Sequence, residues 1–255
     1  MNNKRSDFID SNDYKFNFGS KNGVYIIHGF TNSTFETKDL AKYLAENGYY
    51  TLAKNLPGHG TTVDDCNRCK YTDWIDFVEK DVAEMSNYCE NVFVIGISMG
   101  SALAIHLCTI FPIKAAIFGA PVLKFKDYIG TNILTPLLHK IITKRSKKYS
   151  YPKKIRNSLQ FYGYNEWPMS AVNEFRKLSN IVTKEMHLVK TPALIIHAEL
   201  DKLQHPLNNS IVFNSISTVE KRKLVVKHAG HNLFTYSKDQ KKIFEEIYHF
   251  LNNYK

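Results

Sequence analysis

Ser98 is the centre of Gly96-Ile97-Ser98-Met99-Gly100, between the apolar run Asn91–Ile95 and a helix-forming run, Ser101–Leu107. A serine so placed can serve as a nucleophile. In a sharp strand-to-helix turn its hydroxyl stands clear of the backbone, and a glycine on either side lets strand and helix nearly cross. The five residues alone recur by chance, so the rest of the chain must supply what a serine hydroxyl lacks. Near neutral pH it needs a base to take its proton, and a histidine oriented by a carboxylate fits that need. Two later stretches carry such groups. The apolar run Leu194–His197 leads into Ala198-Glu199-Leu200-Asp201-Lys202, and Leu224–Val226 leads into Lys227-His228-Ala229-Gly230-His231-Asn232. His231 is preferred to His228 as base. It sits several residues beyond the strand, and Gly230 gives the backbone freedom to turn it inward. Asp201 is preferred to Glu199 as acid, because the shorter carboxylate needs less immobilisation and precedes a turn-like Gln204-His205-Pro206.

An attacked acyl group also needs donors for its oxyanion. The N–H of Met99 lies at the positive end of the helix that follows Ser98. A second donor is expected in His28-Gly29-Phe30-Thr31, where Gly29 permits close approach and Phe30 carries the N–H. Read alone, His28-Gly29 is an ordinary strand-ending turn. With a nucleophile, acid and base downstream it becomes a donor loop.

These loops need a scaffold that brings strand ends together. Short apolar runs alternate with longer amphipathic ones, the mark of a mostly parallel sheet covered by helices. Strands are expected at Val24–His28, Tyr49–Ala53, Asn91–Ile97, Ala115–Phe118, Pro192–His197 and Lys223–Val226, with an edge strand near residues 13–20. Helices are expected at Phe35–Asn47, Asp73–Tyr88, after Ser98 to about Phe111, around Leu207–Ser217 and from about Lys238 to Asn252. In open parallel sheets reactive groups gather beyond the C-terminal strand ends. The alternation breaks between Val122 and Lys190, where amphipathic helical stretches occur without a convincing core strand. Residues 122–190 therefore read as a helical cap inserted into a core made of 1–121 and 191–255. Phe125, Phe161, Tyr162, Tyr164 and Trp167 either line an apolar acyl pocket under the cap or form the cap's own core.

The chain of 255 residues, 44% hydrophobic, fits one large domain. No apolar run approaches the ~20 residues that span a bilayer, and the start of the chain leads into no long apolar segment, so a cytoplasmic setting is expected. Cys66, Cys69, Cys89 and Cys108 are expected to be free thiols there. Cys66-Asn67-Arg68-Cys69 lacks a matching second pair and reads as incidental loop cysteines, not a zinc site. No metal or organic cofactor is implied. The formal charge is +10, and the interval between Asp127 and Glu166 holds eight Lys and Arg residues and no acid. It is read as a solvated face, with a surface for anionic substrates or a lipid headgroup layer as the sharper alternative. No nucleic-acid reading element is recognised in it.

Taken together, His28-Gly29-Phe30, Asn55-Leu56-Pro57-Gly58-His59-Gly60, Gly96–Gly100, Asp201 and Gly230-His231 resemble the α/β-hydrolase superfamily over essentially the whole chain. The resemblance is strongest to small bacterial carboxylesterases of the monoacylglycerol-lipase-like group, and extends to Trp167-Pro168-Met169 at the end of the cap. It implies an α/β-hydrolase fold, a mostly parallel sheet flanked by helices, with a small helical cap after the sixth strand. It implies Ser98 as nucleophile, Asp201 as acid, His231 as base, and Phe30 and Met99 as oxyanion donors. The expected activity is hydrolysis of short- to medium-chain acyl esters, monoacylglycerols among the candidates. A thioesterase or amidase with the same triad, and a non-catalytic binding protein, are the alternatives. Three features depart from the family: Asn32 stands where glycine is frequent, a His-Gly-Gly-Gly loop is absent, and the cap is unusually basic.

Overall fold

The computed structural model describes residues 9–147, 163–235 and 237–255. A short strand β1 (Tyr14–Phe16) is followed by β2 (Asn22–Ile27), α1 (Phe35–Glu46), β3 (Tyr50–Ala53), α2 (Val63–Arg68) and α3 (Tyr71–Ser86). Then come β4 (Asn91–Ile97), α4 (Met99–Ile110) and β5 (Ala116–Gly119). The seven-stranded sheet has the spatial order β1-β3-β2-β4-β5-β8-β9, with β8 at Ala193–Ala198 and β9 at Lys221–Val226. Every pairing is parallel except β1 with β3. This is the α/β-hydrolase arrangement that the resemblance implies.

The near-continuous apolar strands follow from burial on both faces of the sheet. Side chains alternate between the two faces along each strand. Val92 and Val94 of β4 join one core with Trp74, Val78 and Val82 of α3 and the inner side of α4. Phe93, Ile95 and Ile97 join the other, with Leu40 and Leu44 of α1 and Ile243 and Ile247 of α8 (Gln240–Asn252). Helix α7 (Asn208–Ser215) adds Val212 to the first core. The short helix α2 falls between Ala53 and Asp73, where no element was expected. It starts because Thr62 Oγ1 accepts the Asp65 N–H at 3.1 Å, a side-chain N-cap. Cys66 and Cys69 lie on and just after it as free thiols.

Five strands precede the insertion among the described residues, not the six counted from the resemblance. At the N-terminal edge of the described sheet one three-residue strand, β1, is the sole antiparallel addition to the parallel set. After β5 the chain forms a π-helical turn (Gly130–Leu134) that runs into α5 (Thr135–Leu138). A two-stranded antiparallel ribbon follows, β6 (Lys144–Ser146) with β7 (Glu166–Pro168), and then the long helix α6 (Met169–Glu185). The ribbon was not anticipated in a segment read as helical. The inner side of α6, through Ala171, Phe175, Leu178 and Val182, shares the core of α3 and α4. Among the described residues no helix is long and apolar enough to cross a membrane.

Candidate active site

Strand β4 ends at Ile97 and α4 begins at Met99, so one residue, Ser98, makes the whole turn. Its backbone is forced to φ 58°, ψ −116°, a conformation that costs of order 1–3 kcal/mol for a residue with a side chain. Its N–H is held by Gly119 O at 2.9 Å. A Cβ at Gly96 would lie 2.1 Å from Gly100 O, and one at Gly100 would lie 2.2 Å from Ile27 O. The flanking glycines are thus required by contact between backbones. Ser101 Oγ lies 2.8 Å from both Gly96 O and Gly119 O and ties the turn to β5.

His231 and Asp201, carried by the loops after β9 and β8, meet. His231 Nδ1 is 2.6 Å from Asp201 Oδ2, and both side chains are largely buried. The other oxygen of Asp201 accepts the N–H groups of Leu203 (2.8 Å) and Gln204 (3.3 Å), so the turn after the acid fixes its orientation. The alternatives, Glu199 and His228, are exposed. With an ionised Asp201 accepting, Nδ1 carries the proton and Nε2 is left as an acceptor. Burial pulls the His231 pKa down, but the hydrogen bond and charge of Asp201, aided by the charge of Glu36, carry it above the ordinary value. Burial pushes Asp201 up, yet the His231 bond and charge leave it below the usual carboxylate range. Each partner holds the other in its charged form.

The loop after β2 runs beside Ser98. A Cβ at Gly29 would lie 3.1 Å from Ser98 Cβ and 3.1 Å from Glu36 Oε2. Met99 is the first residue of α4, and the N–H groups of a helix's first turn have no intrahelical partner. The Phe30 ring packs on Trp74, Phe175 and Trp167, the last nearly parallel at 6.3 Å. Thr31 is held at φ 61°. Its hydroxyl donates to Phe30 O at 2.6 Å and accepts from Lys147 Nζ at 2.6 Å, and its carbonyl accepts the Tyr164 N–H at 2.9 Å. The loop is therefore pinned from the inserted segment. From the core side, His28 Nε2 accepts the Leu56 N–H at 3.1 Å while Nδ1 faces Gly29 O at 2.8 Å. That pattern fixes His28 as a neutral imidazole, and burial lowers its pKa to about 4.

Glu36 is the residue that sequence reasoning missed. It is buried in the first turn of α1, and its Oε2 accepts the Gly29 N–H at 2.6 Å. The side chain of Asn32, at the position that departs from the family, also bonds to it. Burial raises its pKa, against those bonds and the charges of His231 and Lys147. A signal was present. Glu36, Leu40 and Leu44 fall at helical spacing on one buried stripe, where an acid is out of place.

The five aromatic residues proposed for a pocket divide. Phe125 is half-buried against Phe175, with ring centroids 5.1 Å apart. Trp167 lies on Phe30 with Lys147 Nζ 4.4 Å over its ring. Tyr164 is buried in a bracing role, its hydroxyl donating to Gly58 O at 2.7 Å and its ring stacked on His59. Phe161 and Tyr162 lie outside the described residues.

Residues 19–238 match the family model described as serine aminopeptidase, S33. The chain belongs to this family of serine hydrolases. The hydrolase is 26% identical over 245 residues to the thermostable monoacylglycerol lipase of Bacillus sp. (strain H-257), with 89% of each chain covered. It is 23% identical over 242 residues to a carboxylesterase of Bacillus subtilis (strain 168), covering 91% of this chain and 93% of that one. Among solved structures, the monoacylglycerol lipase of Paleococcus ferrophilus superposes with a TM-score of 0.80 at 17% identity, covering 96% of this chain and 99% of that one. The hydrolase thus has the α/β-hydrolase fold, with Ser98, Asp201 and His231 after its strands β4, β8 and β9.

Proposed function

We propose that this hydrolase cleaves carboxylic esters through an acyl-enzyme on Ser98. The observation that carries the reading is the His231–Asp201 pair, oriented by its own turn, in the same chain as a serine held in a strained strand-to-helix turn. Ser98 Oγ attacks the acyl carbonyl as His231 Nε2 takes its proton, and Asp201 stabilises the imidazolium. The N–H groups of Phe30 and Met99 bind the oxyanion. The alcohol leaves with the proton from His231, and water then releases the acid by the same steps reversed. Ester rather than amide or thioester substrates are favoured by the lipase and carboxylesterase relatives.

Residues 122–190 act as the cap that selects the acyl group, with 1–121 and 191–255 as the core. Short- to medium-chain esters, monoacylglycerols included, suit the aromatic residues Phe125 and Trp167, which sit next to the loop carrying Phe30. A cytoplasmic setting is in keeping with four free thiols. The test is labelling with a fluorophosphonate together with a series of matched esters, thioesters and amides of increasing acyl length. Label on Ser98 and fastest turnover of esters are expected, both lost in Ser98→Ala. Undiminished ester hydrolysis by Ser98→Ala would overturn the assignment.

A further inference from the structure

The turn after Asp201 carries a buried carboxamide that the acyl-enzyme steps leave unused. Gln204 is 1% exposed. Its backbone is engaged on both sides. The N–H lies 3.3 Å from Asp201 Oδ1, and the residue pairs with Phe125 in an isolated antiparallel bridge. Its side chain is not engaged. Among the described residues neither Oε1 nor Nε2 has a hydrogen-bonding partner. A carboxamide buried without partners is destabilising, and native proteins hold few of them.

A neighbouring residue shows that this junction can satisfy an amide. Asn208, the first residue of α7, is fully buried where the turn meets the start of the inserted segment. Its Oδ1 accepts the N–H groups of Leu123 at 3.3 Å and Lys124 at 2.7 Å, and its Nδ2 donates to Lys124 O at 2.8 Å. One carboxamide thus fastens the segment to the turn, and the other stays unmatched. The unmatched one adjoins the aromatic row proposed to hold the acyl chain. Phe125, bridged to Gln204, packs on Phe175 at 5.1 Å, and Phe175 packs on Phe30 at 5.3 Å. A carboxamide offers an acceptor and donors side by side. An unsubstituted acyl chain leaves both unmatched. A carboxylate takes the N–H but sets negative charge against Oε1. A hydroxyl donates to Oε1 while accepting from Nε2, so it answers both.

We infer that Gln204 reads a hydroxyl on the acyl part of the substrate, so that the enzyme selects esters of short hydroxy acids. Turnover of such esters rests on the esterase reading, but their binding does not, so the two are measured apart. Each enantiomer of ethyl 3-hydroxyhexanoate is compared with ethyl hexanoate. Binding is followed by titration calorimetry on the full-length Ser98→Ala chain, and hydrolysis on the unaltered chain. The better hydroxy enantiomer should bind, and turn over by kcat/KM, about tenfold better than the plain ester, which strands both amide atoms. Gln204→Met has a similar volume and keeps the backbone N–H that faces Asp201. It should bring both ratios near one, in part by improving the plain ester, a gain that a damaged site does not give. It should also raise the urea midpoint, because the unmatched amide is gone. Discrimination in binding with no hydrolysis of either ester would sink the esterase reading and leave the inference standing. Equal binding and equal kcat/KM for the two esters would overturn the inference, even if Gln204→Met failed to fold. A lowered midpoint in Gln204→Met with both ratios unchanged would assign the carboxamide to a buried water and overturn it as well.

Discussion

Glu36 places a second carboxylate beside the proposed base, and a Cβ on Gly29 would meet both its Oε2 and Ser98 Cβ. His231 must be neutral to accept a proton, so activity is lost as pH falls through its pKa. That pKa is raised, with the charge of Glu36 contributing, which puts the acid limb of kcat/KM above the ordinary histidine value of about 6.5. Glu36→Gln keeps an oxygen to accept from Gly29 N–H but removes the charge. The limb should therefore move to lower pH, with kcat at the plateau within a fewfold of wild type. A limb that stays in place would show that Glu36 only holds the loop. Asp201→Asn should lower kcat by about 10⁴-fold, because the base loses its tautomer and its counter-charge together. Glu199→Gln, altering an exposed acid, should change kcat little, and steady-state kinetics of the two variants checks the choice of acid. As candidates, Ser98, Asp201 and His231 were legible because each follows an apolar run and sits among turn formers. Glu36 was not, because an acid in a first helical turn is ordinarily read as complementing the helix dipole.

The strands and the turn at Ser98 were legible as elements because they are dictated locally. A strand buried on both faces must be an apolar run, and a turn in which backbones touch must have glycine. The inserted segment is harder to read. In β6, Lys144-Arg145-Ser146 is wholly exposed and has no apolar alternation, so its pairing with β7 rests on backbone hydrogen bonds that leave no side-chain pattern. The helix α6 was legible as amphipathic, but its position against α4 was not, since periodicity gives a face and not its partner. Two glycines separate these cases experimentally. Gly100→Ala sets a Cβ 2.2 Å from Ile27 O, backbone that cannot yield. It should cost at least about 3 kcal/mol and abolish activity. Gly130→Ala meets the side chain of Asp127, which is exposed and can swing away, so the cost should stay near 1 kcal/mol. Urea denaturation of both variants measures the contrast. Comparable losses would mean that the turn at Ser98 can relax in a way that its contacts do not suggest.

At the scale of the molecule, the formal charge of +10 and the buried imidazoles act together when the pH falls. His28 is neutral and buried, with its pKa lowered to about 4. His59 is also lowered, by burial and by the neighbouring His28. A depressed folded pKa means that the unfolded chain binds protons first. The stability from keeping His28 neutral is therefore complete above the unfolded value of about 6.5 and lost as pH falls from there towards 4. The difference amounts to about 3 kcal/mol for His28 at 1.36 kcal/mol per unit. His231 works the other way, because its raised pKa favours the folded state below the same unfolded value. Two lowered, fully buried imidazoles oppose one raised one, and every proton bound adds to a charge that is already positive and self-repelling. Unfolding free energy should therefore drop between pH 7 and pH 4, with most of the loss below pH 6. Denaturant titration across that range checks it, and His28→Asn provides the control. Its side-chain oxygen can still accept the Leu56 N–H but does not titrate, so the variant should start less stable and lose about 3 kcal/mol less on acidification. An unaltered pH slope in His28→Asn would place the acid sensitivity elsewhere, in the carboxylates or in His59.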